Sequence, residues 1–243
     1  MTTNGKIQLG DRPYNGKVIV YIVKADQTSY INYMKPLILI EELGTPYEIS
    51  IIDTTSQEYY AIHPERYVPA LKDWCPDAKK DIIIFESTAC LQYLGERYDL
   101  KGAWTGQTAG EKAEILSWTA YQTAGLGPTA KYWLYFLKGY PNRRNPEPPV
   151  KAVEKLHANV VKQWDILEKR LSLPNQLFIA LCDRPTIADI SYFPYAMPWM
   201  FNFLNVNISG YPNIQAWGDR MVSRRAVKDI LERGPTYGHD VGA

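Results

Sequence analysis

The first hundred residues alternate between two kinds of hydrophobic pattern. Short β-branched or alternating apolar runs predict four strands, at residues 17–23, 46–53, 68–74 and 81–85. Apolar residues at helical spacing predict two helices, over residues 34–44 and 86–98. The first helix ends at a glycine, Gly44, which suits a helix C-terminus. The order is therefore β-α-β, a connecting segment and then β-β-α, a small α/β domain preceded by a tail of residues 1–16.

From residue 111 onward the periodicity is helical, and no strand-like run of weight follows. Residues 99–110 are rich in Gly and Thr and are predicted to link the two halves. Residues 141–150 contain four prolines and are expected to form a loop between helices. Gly125, Gly127 and Pro128 should kink or break the long helix that they interrupt. The predicted domains are thus 1–98 and 111–243, joined by 99–110.

One capping signal in the second half is specific. Residues 185–190 read PTIADI and place Thr186 three residues before Asp189, an acidic variant of the capping box. Both residues are interpreted as parts of a helix start. Asp189 is expected to be buried and structural rather than catalytic.

Composition narrows the possible functions. The 243 residues are 46% hydrophobic and 22% charged, with a formal net charge of +1. This balance gives no reason to expect a nucleic acid or an acidic membrane surface as a partner. The three cysteines have no metal-ligand spacing, and an odd, low count fits a reducing compartment. No segment reaches about 18 unbroken apolar residues. We expect a cytoplasmic protein without a metal site.

A proline at the start of a predicted strand raises a question about hydrogen bonding. Residues 66–71 read RYVPAL. Because proline has no N–H for a ladder, it is confined to edges, bulges and strand starts. Pro69 therefore directs attention to the backbone of Val68, which such a geometry leaves open to a partner.

The motifs together resemble the cytosolic glutathione transferases over nearly the whole chain. They are LILIEELGTPYEI, VPALKDW, FESTACLQYLGERY, TIADI and YPNIQAW, in this order. The fungal branch is the most similar, especially the transferases of the gliotoxin pathway and the nitrogen-regulator-like group. The resemblance implies a fold of class α/β plus all-α, in which a thioredoxin-like glutathione domain precedes an all-helical bundle. It also implies a homodimer.

The resemblance implies a glutathione site at two places. A cis Pro69 would turn the N–H and C=O of Val68 outward, so that the cysteinyl residue of glutathione adds as a strand. Ser87, a candidate N-cap, would bind the γ-glutamyl carboxylate at the first turn of a helix. Glu86 would bind the ammonium group, and Arg66 is a candidate for the glycyl carboxylate. His63 stands where many relatives have asparagine and is interpreted as structural.

The residue that activates the thiol is expected between the first strand and the first helix. A hydroxyl or amide that donates to the sulfur lowers the pKa of the thiol, and the thiolate is the nucleophile. Ser29 and Asn32 match the pattern of the fungal group, followed by Tyr30. The register in this loop could differ by one or two residues. No cysteine precedes Cys75, which argues against a cysteine-based mechanism.

The second substrate is expected between the domains. Side chains at spacings that could share one helix face are candidates to line its pocket, namely Gln122, Lys131, Tyr132 and Tyr135. An aromatic stripe is as consistent with a core as with a pocket. A roomy aromatic site would suit a flat or cyclic electrophile.

Three functions compete. The first is conjugation of glutathione to a hydrophobic electrophile, which the gliotoxin-pathway likeness narrows to an activated diketopiperazine of fungal secondary metabolism. The second is a glutathione-dependent disulfide reductase or peroxidase. The third is a non-catalytic glutathione-binding regulator. Retention of the Val-Pro and Glu-Ser pairs favours a working glutathione site.

Overall fold

The computed structural model describes residues 6–25, 30–138 and 149–239. Five strands form one sheet: β1 (Lys6–Leu9), β2 (Val18–Ile22), β3 (Tyr47–Ile51), β4 (Ala70–Cys75) and β5 (Lys80–Phe85). Nine helices are present in the described residues: α1 (Tyr30–Glu42), α2 (Ser87–Tyr98), α3 (Ala109–Ala124), α4 (Leu126–Lys138), α5 (Val150–Leu171), α6 (Ile187–Tyr192), α7 (Pro198–Phe203), α8 (Pro212–Val222) and α9 (Arg225–Arg233). The predicted order of β-α-β followed by β-β-α is confirmed, and so is the helical second half.

The sheet has the strand order β1-β3-β2-β4-β5. Strand β3 is parallel to both β1 and β2, whereas β4 is antiparallel to β2 and β5. Every residue of β2 and β3 is buried. This burial on both faces explains why β2 reads as an apolar run. Strand β3 alternates in sequence, and its polar residues Glu48 and Ser50 are buried as well.

The description of residues 1–16 as a tail was wrong for its described part. Residues 6–9 form β1, which pairs in parallel with β3 from Lys6 opposite Glu48 to Leu9 opposite Ile51. The chain then crosses one face of the sheet. There Lys72 donates to the Asp11 carboxylate at 2.6 Å and to the Arg12 carbonyl at 2.8 Å. The N-terminal segment therefore supplies partners for polar groups of the sheet.

Contacts divide the chain into two compact units. The first comprises Met1–Thr105 and Val222–Ala243, and the second comprises Gly106–Met221. The predicted division placed everything after residue 110 in the helical domain. The difference arises because α9 packs on α1. Arg224 holds the Glu42 carboxylate in a fork, with distances of 2.6 and 2.8 Å.

The C-terminal segment also forms hydrogen bonds to the chain just after β2. The N–H of Ala25 donates to the carbonyl of Tyr237 at 2.9 Å, and His239 Nε2 donates to the carbonyl of Ala25 at the same distance. Both backbone groups of this buried residue are therefore fixed a few positions before α1 begins. Gly238 makes the approach possible, because a Cβ there would lie 3.1 Å from the Cα of Lys24.

The second unit is helical, and it contains the helix break and the capping box that the sequence predicts. Helix α3 ends at Ala124 and α4 begins at Leu126, so the long helix breaks at Gly125. Thr186 and Asp189 form the capping box of α6, and Asp189 is fully buried. Residues 141–148 of the proline-rich loop lie outside the described residues. Within the described part of the chain, none of the helices combines the length and apolar character needed to span a bilayer.

Candidate functional site

The pairing of β4 with β5 brings the two halves of the predicted site together. Ala70 lies opposite Phe85 in an antiparallel register. The positions just before β4, Val68 and Pro69, consequently lie beside the positions just after β5, Glu86 and Ser87. The sheet thus assembles in space two motifs that are separated in the sequence.

Val68 combines an anchored side chain with an open backbone. The peptide bond to Pro69 is cis, as the resemblance implied. The side chain of Val68 packs on the core cluster that contains Tyr21 and Ala70. Val68 lies before the ladder of β4, and among the described residues its N–H and C=O make no backbone hydrogen bond. A short extended peptide can pair with such an edge.

The start of α2 differs from the prediction by one residue. Glu86 is the N-cap, with φ 73 and ψ 126, and its side chain makes no capping hydrogen bond. Ser87 is therefore the first helical residue, not the N-cap. The first N–H groups of a helix have no intrahelical partner and carry partial positive charge, which favours an anion. The positive φ of a non-glycine residue is strained backbone of the kind found at functional sites.

The charge of Glu86 affects several buried titratable groups. His63 Nε2 lies 3.6 Å from Glu86 Oε1. Burial lowers the pKa of Lys35 to about 7, and the negative charge of Glu86 opposes that shift. Burial raises the pKa of the Cys90 thiol, and the negative charge of Glu86 raises it further. Cys90 is accordingly a neutral thiol in the core and not a nucleophile.

Arg66 lies near the site in sequence, but its side chain is already engaged. Its backbone is left-handed, with φ 57. The guanidinium donates to the carbonyl of Thr55 at 2.8 Å and lies 4.6 Å from the ring centroid of Tyr60. A glycyl carboxylate would have to be bound by the other N–H groups of the guanidinium, and this role of Arg66 stays a prediction.

Two of the three candidates for thiol activation are described. Tyr30 is the first residue of α1, and Asn32 follows in the same turn, half-buried. Burial raises the pKa of Tyr30, so its phenol is a neutral donor at neutral pH. Ser29 lies outside the described residues. The start of α1 therefore supplies an amide and a hydroxyl that can donate a hydrogen bond.

Gln122 lies inside the helical unit, and its role in a pocket stays a prediction. Gln122 is 1% exposed, and its Oε1 accepts a hydrogen bond from the hydroxyl of Ser191 at 2.8 Å. The amide thus joins α3 to α6 inside the helical unit. Helical spacing placed Gln122 near the aromatic stripe of α4, but the helix break at Gly125 separates the two segments.

The three other pocket candidates do come together, on α4. The rings of Tyr132 and Tyr135 meet edge to face with centroids 6.2 Å apart. Lys131 Nζ lies 5.5 Å from the ring centroid of Tyr135. Tyr132 is 49% exposed, and Phe136 extends the same aromatic face. This face offers aromatic surface and a cation to a ligand of the helical unit.

Comparison with known proteins identifies the family to which these features belong. A family model described as "Glutathione S-transferase, N-terminal domain" matches residues 32–97, and the corresponding C-terminal domain model matches residues 151–220. The chain is 60% identical over 226 residues to Glutathione S-transferase aclG of Aspergillus oryzae. The match covers 93% of this chain and 99% of that protein.

Two further similar proteins support this family assignment. The chain is 52% identical over 215 residues to the trimodular acetylaranotin synthesis protein ataIMG of Aspergillus terreus, spanning 88% of this chain and 21% of that protein. A crystal structure of a glutathione transferase from Burkholderia graminis, with two glutathione molecules bound per subunit, has a TM-score of 0.74. Its sequence is 27% identical, and the match covers 92% of this chain and 90% of that one. The chain belongs to the glutathione S-transferase family and is a glutathione transferase.

Proposed function

We propose that this enzyme binds glutathione at Val68, Pro69, Glu86 and Ser87. The backbone of Val68 pairs with the cysteinyl residue, as a strand adds to a sheet edge. The N–H and hydroxyl of Ser87 bind the γ-glutamyl carboxylate, which the helix N-terminus favours. Glu86 binds the ammonium group. The observation that carries this proposal is the open backbone of Val68 beside the uncapped first turn of α2.

The reaction proposed is conjugation. Glutathione loses its thiol proton to solvent, and Asn32, Ser29 or Tyr30 stabilises the thiolate by donating a hydrogen bond to sulfur. The sulfur attacks an electrophilic carbon of the second substrate. A carbon–sulfur bond forms, and the leaving group departs with the electron pair of the bond that breaks. None of the three donors changes its own protonation state.

The second substrate proposed is a hydrophobic, cyclic electrophile. The exposed ring of Tyr132 and the half-buried ring of Tyr135 supply stacking surface, and Lys131 favours an acceptor that develops negative charge. Similarity to aclG and to an acetylaranotin synthesis protein supports an activated diketopiperazine of fungal secondary metabolism. The protein is proposed to act as a cytoplasmic homodimer, which is the arrangement that the family resemblance implies.

Substitutions at the start of α2 should weaken glutathione binding. Ser87→Ala and Glu86→Gln each remove a contact to a charged group, so the Kd for glutathione should rise by about 10- to 100-fold. Titration calorimetry measures this directly. Glu96→Gln, at an exposed position of the same helix, is the matched control and should leave the Kd unchanged. Unchanged affinity in both site variants would contradict the assignment.

Substitutions at the start of α1 should instead slow turnover. Asn32→Ala, with Ser29→Ala and Tyr30→Phe in parallel, is expected to lower kcat by about 10²-fold for the residue that donates to the sulfur, while the Kd for glutathione changes little. Steady-state conjugation assays with a chromogenic electrophile separate kcat from KM. Asn202→Ala, exposed on α7, serves as the control. Full activity in all three loop variants would show that thiol activation lies elsewhere.

A further inference from the structure

His63 is a buried histidine directly behind the proposed ammonium site. It is 2% exposed, whereas the side chain of Glu86 is 64% exposed. The two side chains approach each other to 3.6 Å, between His63 Nε2 and Glu86 Oε1. Glu86 therefore has one side toward solvent and the other toward a fixed imidazole.

The partners of His63 determine where its proton lies. Its Nδ1 accepts a hydrogen bond from the backbone N–H of Glu65 at 3.0 Å. A ring nitrogen that accepts a hydrogen bond carries no proton, so the proton of the neutral ring is on Nε2. Burial lowers the pKa of His63, and the charges of Glu86 and then Glu65 oppose that shift. The ring thus presents an N–H to Glu86 at neutral pH.

Two aromatic rings pack against the imidazole of His63. The ring of Phe85 meets it edge to face, with centroids 5.0 Å apart, and the ring of Tyr67 lies 5.6 Å away. Glu86, in contrast, makes no capping hydrogen bond with its side chain, and its backbone φ is positive. The other basic residue whose pKa is affected by the charge of Glu86 is the buried Lys35 on α1. Of the two, His63 is the residue that lies 3.6 Å from the carboxylate.

We infer that His63 is a positioning residue, which orients the Glu86 carboxylate toward the α-ammonium group of the γ-glutamyl end of glutathione. This inference rests on the proposed glutathione site and deepens it. The N–H on Nε2 faces one side of the carboxylate at 3.6 Å, an electrostatic contact longer than a hydrogen bond, and the other side is open to solvent, where the ammonium binds. Selectivity for a γ-glutamyl compound with a free amine then depends on a histidine that does not touch the ligand.

The test compares glutathione with its des-amino analogue, which lacks the ammonium group. In His63→Leu the Kd for glutathione should rise about five- to tenfold, while the Kd for the analogue stays as in the unchanged protein. In His63→Gln the side-chain amide can again present an N–H to Glu86, and the affinity for glutathione should largely recover. His157→Leu, a histidine substitution in the helical unit, is the matched control.

The outcomes separate the inference from the function on which it rests. Equal loss for glutathione and the analogue in His63→Leu, without recovery in His63→Gln, would show a merely structural role and overturn the inference. Unchanged glutathione binding in His63→Leu would overturn it as well, with the glutathione site intact. Failure of the unchanged protein to bind glutathione would overturn the proposed function itself. An unaltered Kd for the analogue also shows that the His63→Leu variant is folded.

Discussion

Replacing Asp189 with alanine is expected to lower the free energy of unfolding by about 3–5 kcal/mol, because four buried donors lose their acceptor together. One carboxylate oxygen accepts the N–H of Ile179 at 2.8 Å and the indole N–H of Trp217 at 2.9 Å. The other accepts the N–H and the hydroxyl of Thr186 at 2.8 and 3.0 Å. Burial raises the pKa of Asp189, and these donors oppose that shift.

Urea unfolding, followed by circular dichroism, measures the effect. Asp183→Ala removes an exposed carboxylate of the same unit and should change stability by less than about 0.5 kcal/mol. Asp189→Asn keeps one acceptor oxygen, so its free energy of unfolding should lie between those of Asp189→Ala and Asp183→Ala. If Asp189→Ala were as stable as Asp183→Ala, the network around α6 would not contribute to the fold as described.

Removing residues 1–16 is expected to destabilise the protein by about 3–5 kcal/mol, because it leaves a buried charge without its partner. The side chain of Lys72 is 9% exposed, and both of its hydrogen bonds go to this segment, at Asp11 and Arg12. Glu48, also buried, loses the side chain of Asn15, which donates to it at 3.0 Å. The deletion further exposes the edge of β3 by removing β1.

A second substitution tests the stated cause of that loss. In the shortened chain, Lys72→Met removes the unpaired charge and should restore part of the stability. In the full chain the same substitution should destabilise, because it leaves Asp11 without its ammonium partner. A shortened chain with the urea midpoint of the full chain would contradict the account of this segment.

The same segment makes part of the stability depend on pH. Burial alone would raise the pKa of Asp11, but hydrogen bonds from Lys72 and Tyr21 hold it below the usual value. Since the folded pKa is lowered, this contribution is present above the unfolded pKa. It is lost as the pH falls through the folded value.

Strands and helices with long, regular patterns were predictable from the sequence. The runs that became β2 and β5 are β-branched, and the glycine at position 125 ended α3 as expected. Strand β1 was missed because its four residues include two polar ones and its pairing partner, β3, lies about forty residues away along the chain. A four-residue segment is too short to show a hydrophobic period, so β1 is defined as a strand only by its pairing with β3 in the folded protein.

The candidate site was predictable where a backbone feature has a sequence signature. The proline at position 69 directed attention to Val68, and the helix start at 86–87 was found to within one residue. The cap was misplaced because the left-handed backbone of Glu86 leaves no trace in residue type. The spacing of Gln122 did not reveal that its side chain is buried, since its partner Ser191 is 69 positions away.

His63 shows a different limit. A single histidine before a proline gives no sign in the sequence of which residue it faces, and it was interpreted as structural. Its approach to Glu86 follows from the tertiary fold, since the two residues are 23 positions apart. The position of the proton on the His63 ring is inferred only from the hydrogen bond that the N–H of Glu65 donates to Nδ1.

Titration calorimetry of the full chain with reduced and then oxidised glutathione tests the central claim most directly. The account predicts saturable binding of the reduced form, with preference over the oxidised form, since one γ-glutamyl end binds at α2 and the free thiol is the reactant. Preference for oxidised glutathione would contradict conjugation and favour a disulfide reductase. Binding of neither form would contradict the assignment of Val68, Glu86 and Ser87 as a glutathione site.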